Sequence, residues 1–411
     1  MNPFQMKSIP IDRTIQNWCQ LYPKSYNKNE TDPYTKCRII LMNGTEFEAV
    51  WFSHQFQRHC PNNDLRRELA LTRRIEQQQQ KKISNLKPID ESILEQTISY
   101  EQLAVDLTAA LANMEQDPHV KAAMDFALLE DFDHLYRYAN LLEMESGIAA
   151  EQLVGGYTEI MPGRPTIAHH RYPFESVNHD TNYKTANLQT KLNIGIITAA
   201  EQQTMNYYMN AGAFYTSDIG RQLYQEIGMV EEQHVSEYGS LMDTTSTWLE
   251  SLLLHEYTEC YLYYSCYETE VDPYIKQVWE QCFEQELAHL HRAAQLLQKY
   301  EGKDWCQVIQ NGEFPSVLKL GSNIEYVRDV LAATVNITKC RENYVCVDQL
   351  PRDADFFFYQ NIVNRDVNTV PSHCVIEEYI AKNGMDYRYE TAPNPIPALR
   401  DRTKDNTSVG R

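Results

Sequence analysis

The chain has little positive charge, no paired-cysteine motif and no long apolar run. Its 37 Lys and Arg against 57 Asp and Glu leave a net charge of −20, which argues against nucleic acid as a partner because phosphate binding needs clustered cations. The ten cysteines contain no Cys-x-x-Cys, a spacing that suits reduced thiols better than disulfides or a zinc site. No stretch approaches about eighteen uncharged apolar residues and the first residues lack a secretory signal, so we expect no membrane partner and a cytoplasmic location.

What the sequence does contain is one pattern of acids that occurs three times. A glutamate is followed by a helix break sixteen residues on, a second acid thirty residues on and a histidine three beyond that. The copies are Glu101, Asp117, Asp131 and His134; Glu201, Ser217, Glu231 and His234; and Glu256, Asp272, Glu286 and His289. Two antiparallel helices joined by a tight turn would place the two acids of a copy opposite each other, at the same position along the helix pair. A glutamate opposite a Glu-x-x-His, used twice, is the ligand set of a two-metal site in a helix bundle.

The spacing of apolar residues and of helix-breaking residues divides the chain into five segments. Residues 1–63 are predicted to form an irregular extension with a small hairpin at Asn43-Gly44, a pair that favours a type I′ turn. Residues 64–146 are predicted to be accessory helices carrying the first, degenerate copy, with Gln77 to Gln80 on a solvated face. Residues 147–189 form a long crossover or lid, and residues 301–411 a C-terminal capping region. Between them, residues 190–300 contain four helices at about 190–215, 219–242, 246–270 and 274–300.

The ligand types indicate which metals the site would take. Glu286 and His289 share a helix side with apolar residues such as Trp279 and Phe283, so they are expected to face the core. Inward-facing carboxylates are costly unless they meet a cation. Carboxylate and imidazole ligands suit Fe(II) or Mn(II), and bridging carboxylates hold two such ions about 3.5–4 Å apart.

Four sequence segments between residues 190 and 300 resemble a known family. They are Glu201 in AAEQQTMNYYMN, Glu231-Glu232-Gln233-His234, Glu256-x-x-Glu259 in LLHEYTECYLYYS, and Glu286-x-x-His289 in EQELAHLHRA. These segments are similar to rubrerythrins and the wider ferritin-like superfamily. The resemblance implies an all-α, ferritin-like antiparallel helix bundle at 190–300, with additional helices and irregular N- and C-terminal extensions.

The resemblance also implies the site and the reaction. The implied metal ligands are Glu201, Glu231, His234, Glu256, Glu259, Glu286 and His289, with Glu259 as the exchanging carboxylate and hence the catalytic residue. The implied cofactor is two iron ions, with manganese as the other option, and the implied substrate is O2 or peroxide. Because the rubredoxin-like Cys-x-x-Cys module is missing, electrons must come from an external donor such as a small redox protein. A homo-oligomer stays open.

Connectivity favours a rival ligand set. The turn around Asp243 to Thr247 is too short for the long crossover of ferritin-like bundles, whereas 147–189 would be such a crossover if the first two copies formed the bundle. The ligands would then be Glu101, Glu130 or Asp131, His134, Glu201, Glu231 and His234. In the crossover, Arg164 or Arg171 could bind a carboxylate bidentately. The crossover histidines His169, His170 and His179 could gate or bind a substrate, although surface-loop histidines without function are more common.

Two other functions stay open. One is a dimetal oxygenase acting on an organic molecule, for which an elongated apolar cavity reaching the metals would be the sign. The other is a non-catalytic metal-binding or scaffold protein whose helices form a partner surface.

Overall fold

The protein is all-α, as predicted. A computed structural model describes residues 1–164, 168–385, 392–400 and 409–410. The helices are α1 Pro33–His59, α2 Asn63–Ser84, α3 Ile93–Met114, α4 Pro118–Ser146, α5 Ala150–Leu153, α6 Leu188–Phe214, α7 Asp218–Gly239, α8 Trp248–Thr269, α9 Pro273–Glu301, α10 Ile324–Thr334, α11 Asp355–Val363 and α12 Pro371–Asn383. Two short strands, Val345–Cys346 and Val409–Gly410, pair antiparallel. Within the described residues, no helix combines the length and the apolar character that crossing a bilayer requires.

Side-chain caps fix where the long helices begin. Asp117 and Asp272 each accept hydrogen bonds from the first free amides of α4 and α9, and a proline follows each aspartate at the first helical position. Ser217 caps α7 in the same way. The three helix breaks of the repeated pattern are therefore N-caps, and the four helices expected between residues 190 and 300 are confirmed to within a few residues.

The predicted hairpin at Asn43-Gly44 is wrong, because both residues lie inside helix α1. Asp32 caps α1 and Pro33 follows it, so the start signal that identified α4 and α9 is present here too. The physical role of Gly44 is close packing: a Cβ at this position would lie 2.6 Å from the Cβ of Gln203 on α6. Tertiary packing thus overrides a local turn preference.

The helices form two compact units. The first comprises Met1–Glu91, Asp180–Gln203 and Leu241–Lys319. In it, α1 packs against α2 and α8 against α9, while α1 also contacts α8 and α2 contacts α9. The short 3-10 helices Pro3–Gln5 and Ile11–Arg13 pack against α9. Two helical hairpins, far apart in the sequence, therefore make the core of this unit.

The second unit comprises Ser92–His179, Thr204–Ser240 and Leu320–Arg411. Here α3 packs against α4, α4 against α7, and α10 and α12 cover α4. Helix α6 contributes its first part, up to residue 203, to the first unit and the remainder to the second.

This division differs from the expected one. Residues 190–300 were expected to form one bundle and residues 64–146 an accessory segment, but α2 belongs to the first unit while α3, α4 and α7 belong to the second. The predicted crossover at 147–189 and the predicted capping region at 301–411 each include residues outside the described ranges, namely 165–167, 386–391, 401–408 and 411. Of the capping region, α10 and α12 pack on the helices of the second unit.

Candidate metal centres

A fourth copy of the acid pattern lies on α1 and α2. Counting from Glu46, sixteen residues lead to Asn62, which caps α2, thirty lead to Glu76, and three more lead to Gln79. The sequence pattern does not identify this copy, because residues 1–63 are predicted to be an extension and because glutamine stands where the other copies have histidine. The interpretation of Gln77 to Gln80 as a solvated face is wrong for Gln79, which is buried. The spacing itself was the signal that could have identified it.

The first unit brings this fourth copy together with the third. We call the resulting cluster the first centre, and its members are Glu46, Glu76, Gln79, Glu256, Glu259, Glu286 and His289. Each is at most 2% exposed. Ligand atoms of Glu76, Glu256 and His289 lie within 4.8 Å of one another, and so do those of Glu256, Glu259 and Glu286. Acids from four helices therefore converge on one buried point.

Hydrogen bonds fix only part of the first centre. The Gln79 amide nitrogen donates to Glu286 Oε1 at 2.6 Å, and His289 Nδ1 lies 3.2 Å from Glu286 Oε2. The Tyr263 hydroxyl donates to Glu46. Glu286 is thus held from two sides.

Many ligand atoms of the same centre have no hydrogen-bond partner among the described residues. They are both carboxylate oxygens of Glu259, one oxygen each of Glu46, Glu76 and Glu256, and Nε2 of His289. No described Lys or Arg lies within ion-pair distance of these carboxylates; their recorded ion-pair contacts are with histidines. Buried polar atoms in native proteins almost always have a partner, so this concentration needs an explanation.

The electrostatics point the same way. Burial, followed by repulsion from neighbouring carboxylates, raises the pKa of Glu46, Glu256 and Glu259 well above the ordinary value. Burial also raises the pKa of Glu76, to about 7, although the His289 imidazole opposes the shift. The fold therefore holds carboxylates where their charge is unfavourable unless a cation is bound, and their oxygen-rich set suits hard or borderline divalent ions.

The second unit contains its own cluster, which we call the second centre. Its members are Glu101, Glu130, Asp131, His134, Glu231 and His234, all at most 1% exposed. His134 Nδ1 lies 3.0 Å from Glu231 Oε1, and His234 Nδ1 lies 3.1 Å from Glu231 Oε2 and 3.2 Å from Asp131 Oδ1. The two Nδ1 atoms and these carboxylates thus face each other as a ligand set would.

The sequence left open whether Glu130 or Asp131 is the ligand, and the two acids lie on different sides of the His234 imidazole. Asp131 faces the Nδ1 atom of His234, whereas Glu130 lies behind that imidazole and bonds its Nε2 at 2.8 Å. Arg171 donates to Glu130 from the other side. Burial would raise the pKa of Glu130, but Arg171 and His234 outweigh it and hold this pKa well below its usual range. A carboxylate behind a histidine is the arrangement that orients a metal-binding imidazole.

Charge balance separates the two centres. Burial would raise the pKa of Glu231, but the hydrogen bond from His134, followed by that from His234, lowers it to about 2. Burial raises the pKa of Asp131, although His234 opposes the shift. The acids of the second centre are therefore partly compensated by imidazoles and by Arg171, whereas the five acids of the first centre have only the imidazoles of His255 and His289 within ion-pair distance among the described residues.

A tyrosine hydroxyl bonds the leading glutamate in both centres. Tyr208 donates to Glu101 in the second centre, as Tyr263 does to Glu46 in the first. Each tyrosine stands seven residues after a glutamate of the repeated pattern, Glu201 and Glu256 respectively. The two centres thus share one arrangement, in which a tyrosine on one helix donates to a glutamate on another helix.

The predicted ligand sets are divided between the two units. Of the seven residues in the main set, Glu256, Glu259, Glu286 and His289 lie in the first centre, and Glu231 and His234 lie in the second. Glu201 is buried on α6, in the stretch of that helix that belongs to the first unit. Of the rival set, Glu101, Glu130, Asp131 and His134 meet Glu231 and His234 in the second centre.

The loop before α6 contributes to the second centre, contrary to its interpretation as surface. His169 and Arg171 are buried, with His169 Nε2 bonded to the Arg164 carbonyl at 2.9 Å. Besides Glu130, Arg171 reaches Glu237 at 3.4 Å. Arg171 is therefore paired with two carboxylates of the protein itself.

Comparison with models of protein families, with curated proteins and with solved structures finds no match for this chain. The argument for function therefore depends on the two centres and their surroundings.

Proposed function

We propose that the protein is a non-haem dimetal carboxylate oxidoreductase whose reacting metals are bound in the first centre. The observation that carries this proposal is the group of buried carboxylate oxygens in the first centre without hydrogen-bond partners among the described residues. Five carboxylates carry a charge of −5 when ionised, and two divalent ions would supply +4. Two hairpins, each with a glutamate opposite a Glu-x-x-His or Glu-x-x-Gln, support a ferritin-like arrangement of this unit.

Iron or manganese fits the donor set best, because the first centre offers five carboxylates, one imidazole and one amide. Two such ions supply two electrons, which is the requirement for reducing peroxide to water. We therefore propose O2 or peroxide as the oxidant. Because the sequence has no Cys-x-x-Cys electron-transfer module, the donor is proposed to be an external small redox protein.

The residues of the first centre take separate roles in this proposal. Glu46, Glu76, Glu256 and Glu286 are the resident carboxylates, and His289 is the imidazole ligand. Gln79 holds Glu286 through the 2.6 Å hydrogen bond from its amide. Glu259 has neither oxygen hydrogen-bonded to a described residue, so it is the carboxylate with the most freedom to change its mode of binding.

The second centre is proposed to bind metal independently. Its ligands would be Glu101, Asp131, His134, Glu231 and His234, with Glu130 orienting the His234 imidazole. Compensation of its acids by histidines and Arg171 makes it less dependent on a cation than the first centre, so we assign the redox reaction to the first centre.

Metal analysis and peroxide consumption test the proposal. Protein reconstituted anaerobically with Fe(II) should retain about two ions per centre and, after removal of free iron, should consume peroxide in one turnover and then stop until reductant is added. Glu259→Ala should retain its iron and react more slowly, whereas Glu268→Ala, on the exposed side of the same helix, should match the wild type. Retention of less than about half an ion per chain would refute the proposal.

A second candidate function is oxidation of an organic molecule at the same centre. The observation that favours it is a cavity in the first unit that has Glu259 in its wall. Reduced protein that is inert to peroxide but reacts with O2 when an organic compound is bound would favour this candidate over the first.

A further inference from the structure

The cavity beside Glu259 is built by three helices of the first unit. It has a volume of about 140 Å³. Its apolar wall includes Phe52 of α1, Ile196 of α6, and Leu254 and Leu262 of α8. A dry apolar cavity of roughly 150 Å³ is large enough to bind benzene, so the space suits a molecule of that size.

Gly195 gives this cavity part of its room. It lies inside α6, where glycine costs about 1 kcal/mol relative to alanine. A Cβ at Gly195 would meet no heavy atom within 4 Å, in contrast to Gly44, where packing excludes a side chain. Close packing therefore does not explain this glycine, whereas open space in the cavity does.

A buried cation stands one helical turn before the glycine. Lys191 lines the cavity, is 8% exposed, and donates to the Val308 carbonyl at 3.3 Å. No carboxylate of the described residues lies within ion-pair distance of its ammonium; burial lowers the pKa of this ammonium, and the more distant Asp243 opposes the shift. Asp243 also lines the cavity, but its oxygens accept hydrogen bonds from Thr245 and Ser246 in its own turn. The ammonium therefore retains donors for an anion.

The opposite part of the lining belongs to the first centre. His255 Nδ1 lies 3.1 Å from Glu48 Oε2, and its Nε2 lies 3.7 Å from Glu259 Oε2. Glu48 thus fixes the imidazole beside the centre. The lining of this cavity therefore includes both the Lys191 ammonium and the Glu259 carboxylate of the first centre, with apolar side chains making up much of the rest.

We propose that this cavity binds a small organic acid, with its carboxylate on Lys191 and its apolar body against Gly195, and that this acid is the organic substrate of the first centre. The binding part of the proposal stands on the cavity alone, whereas the assignment as substrate depends on the second candidate function, oxidation of an organic molecule at the first centre.

Benzoate is the probe for binding, because it joins a benzene-sized body to a carboxylate. Calorimetric titration of the full chain should detect benzoate, and neutral benzamide should bind at least about tenfold more weakly, since it lacks the charge that Lys191 would pair. Lys191→Met should weaken benzoate at least about tenfold and leave benzamide unchanged. Lys184→Met, at an exposed lysine nearby in the sequence, should change neither.

Filling the cavity provides a second, independent variant. Gly195→Leu should abolish benzoate binding while the protein keeps its helical circular dichroism and its cooperative unfolding. Equal benzoate affinity in the wild type, Lys191→Met and Gly195→Leu would overturn the proposal, and so would no binding to the wild type at millimolar benzoate.

The test also separates this proposal from the proposed function. Titration of metal-free protein examines the cavity without any metal, whereas a benzoate-induced change in the optical spectrum of iron-loaded protein examines the link to the first centre. Binding to the metal-free protein with failed iron loading supports the site and refutes the proposed function. Iron loading and peroxide reaction without benzoate binding refute the site and leave the proposed function standing.

Discussion

Replacing Glu259 by leucine should stabilise the metal-free protein and reduce the further stabilisation that bound metal adds. Glu259 is fully buried, and neither of its oxygens is hydrogen-bonded to a described residue. An unsatisfied buried polar group costs about 1–3 kcal/mol, and leucine has nearly the same size without that cost. The metal-free Glu259→Leu protein should therefore be more stable by about 1–3 kcal/mol.

The stabilisation that bound metal adds should decrease in the same variant. A ligand metal present at about 100 times its dissociation constant stabilises the native state by about 2.7 kcal/mol. Removing one of the five carboxylates of the first centre lowers the affinity for the metal, although the remaining ligands still retain it, and so reduces this increment. The difference in unfolding free energy with and without metal should consequently be smaller in Glu259→Leu than in the wild type.

Urea denaturation followed by circular dichroism measures both effects, once with a chelator and once with anaerobic Fe(II) or Mn(II). Glu268→Leu is the matched control, because Glu268 lies on the same helix and is exposed. Its stability should stay within about 0.5 kcal/mol of the wild type in both conditions. If Glu259→Leu instead destabilises the metal-free protein by more than about 1 kcal/mol, the carboxylate is satisfied in the native state and the reasoning is refuted.

Two further predictions follow from the division into two centres and from the packing of the glycines. His289→Ala should lower metal retention in the first centre only and His134→Ala in the second only, so elemental analysis of the double variant should show the sum of the two losses; a loss in either single variant as large as in the double would contradict independent centres. Gly44→Ala should destabilise the protein by about 1–3 kcal/mol because its Cβ would meet Gln203, whereas Gly195→Ala should stabilise it by about 0.5–1 kcal/mol through better helix propensity. Denaturant unfolding measures whether each variant gains or loses stability. Equal changes in the free energy of unfolding at Gly44 and Gly195 would show that the two glycines do not differ in packing.

The local part of the fold was predictable because its causes are local. Asp117, Ser217 and Asp272 cap helices where the repeated pattern places a break, since a cap needs only one side chain and the next few amides. The same rule applied to Asp32-Pro33 would have identified α1. The turn preference of Asn43-Gly44 gave a wrong prediction because it is also a local signal. The packing of α1 against α6 outweighs this preference.

Pairing of the hairpins was the part that local signals could not decide. The third copy was expected to pair with the second or, in the rival reading, to be left out of the site; it pairs with the unrecognised copy on α1 and α2. Each hairpin carries acids at the same thirty-residue spacing. Any two hairpins could therefore supply the ligands of a two-metal site. Only the burial of specific helix faces selects among the pairings.

The sequence by itself determined the helical hairpins and the residue types that face their cores, because helix period, caps and the thirty-residue spacing act within one hairpin. Tertiary structure decided which acids meet, that Glu130 orients His234 while Asp131 faces its Nδ1 atom, and that Arg171 compensates one centre. Among the described residues, no Lys or Arg lies within ion-pair distance of the carboxylates of the other centre. Tertiary structure also decided that Gly195 borders open space where Gly44 borders another helix. These outcomes depend on contacts between residues that are distant in the sequence, 41 positions apart for Arg171 and Glu130 and 104 for His234 and Glu130. The free energy of such contacts comes from burial and charge that no short stretch of sequence contains.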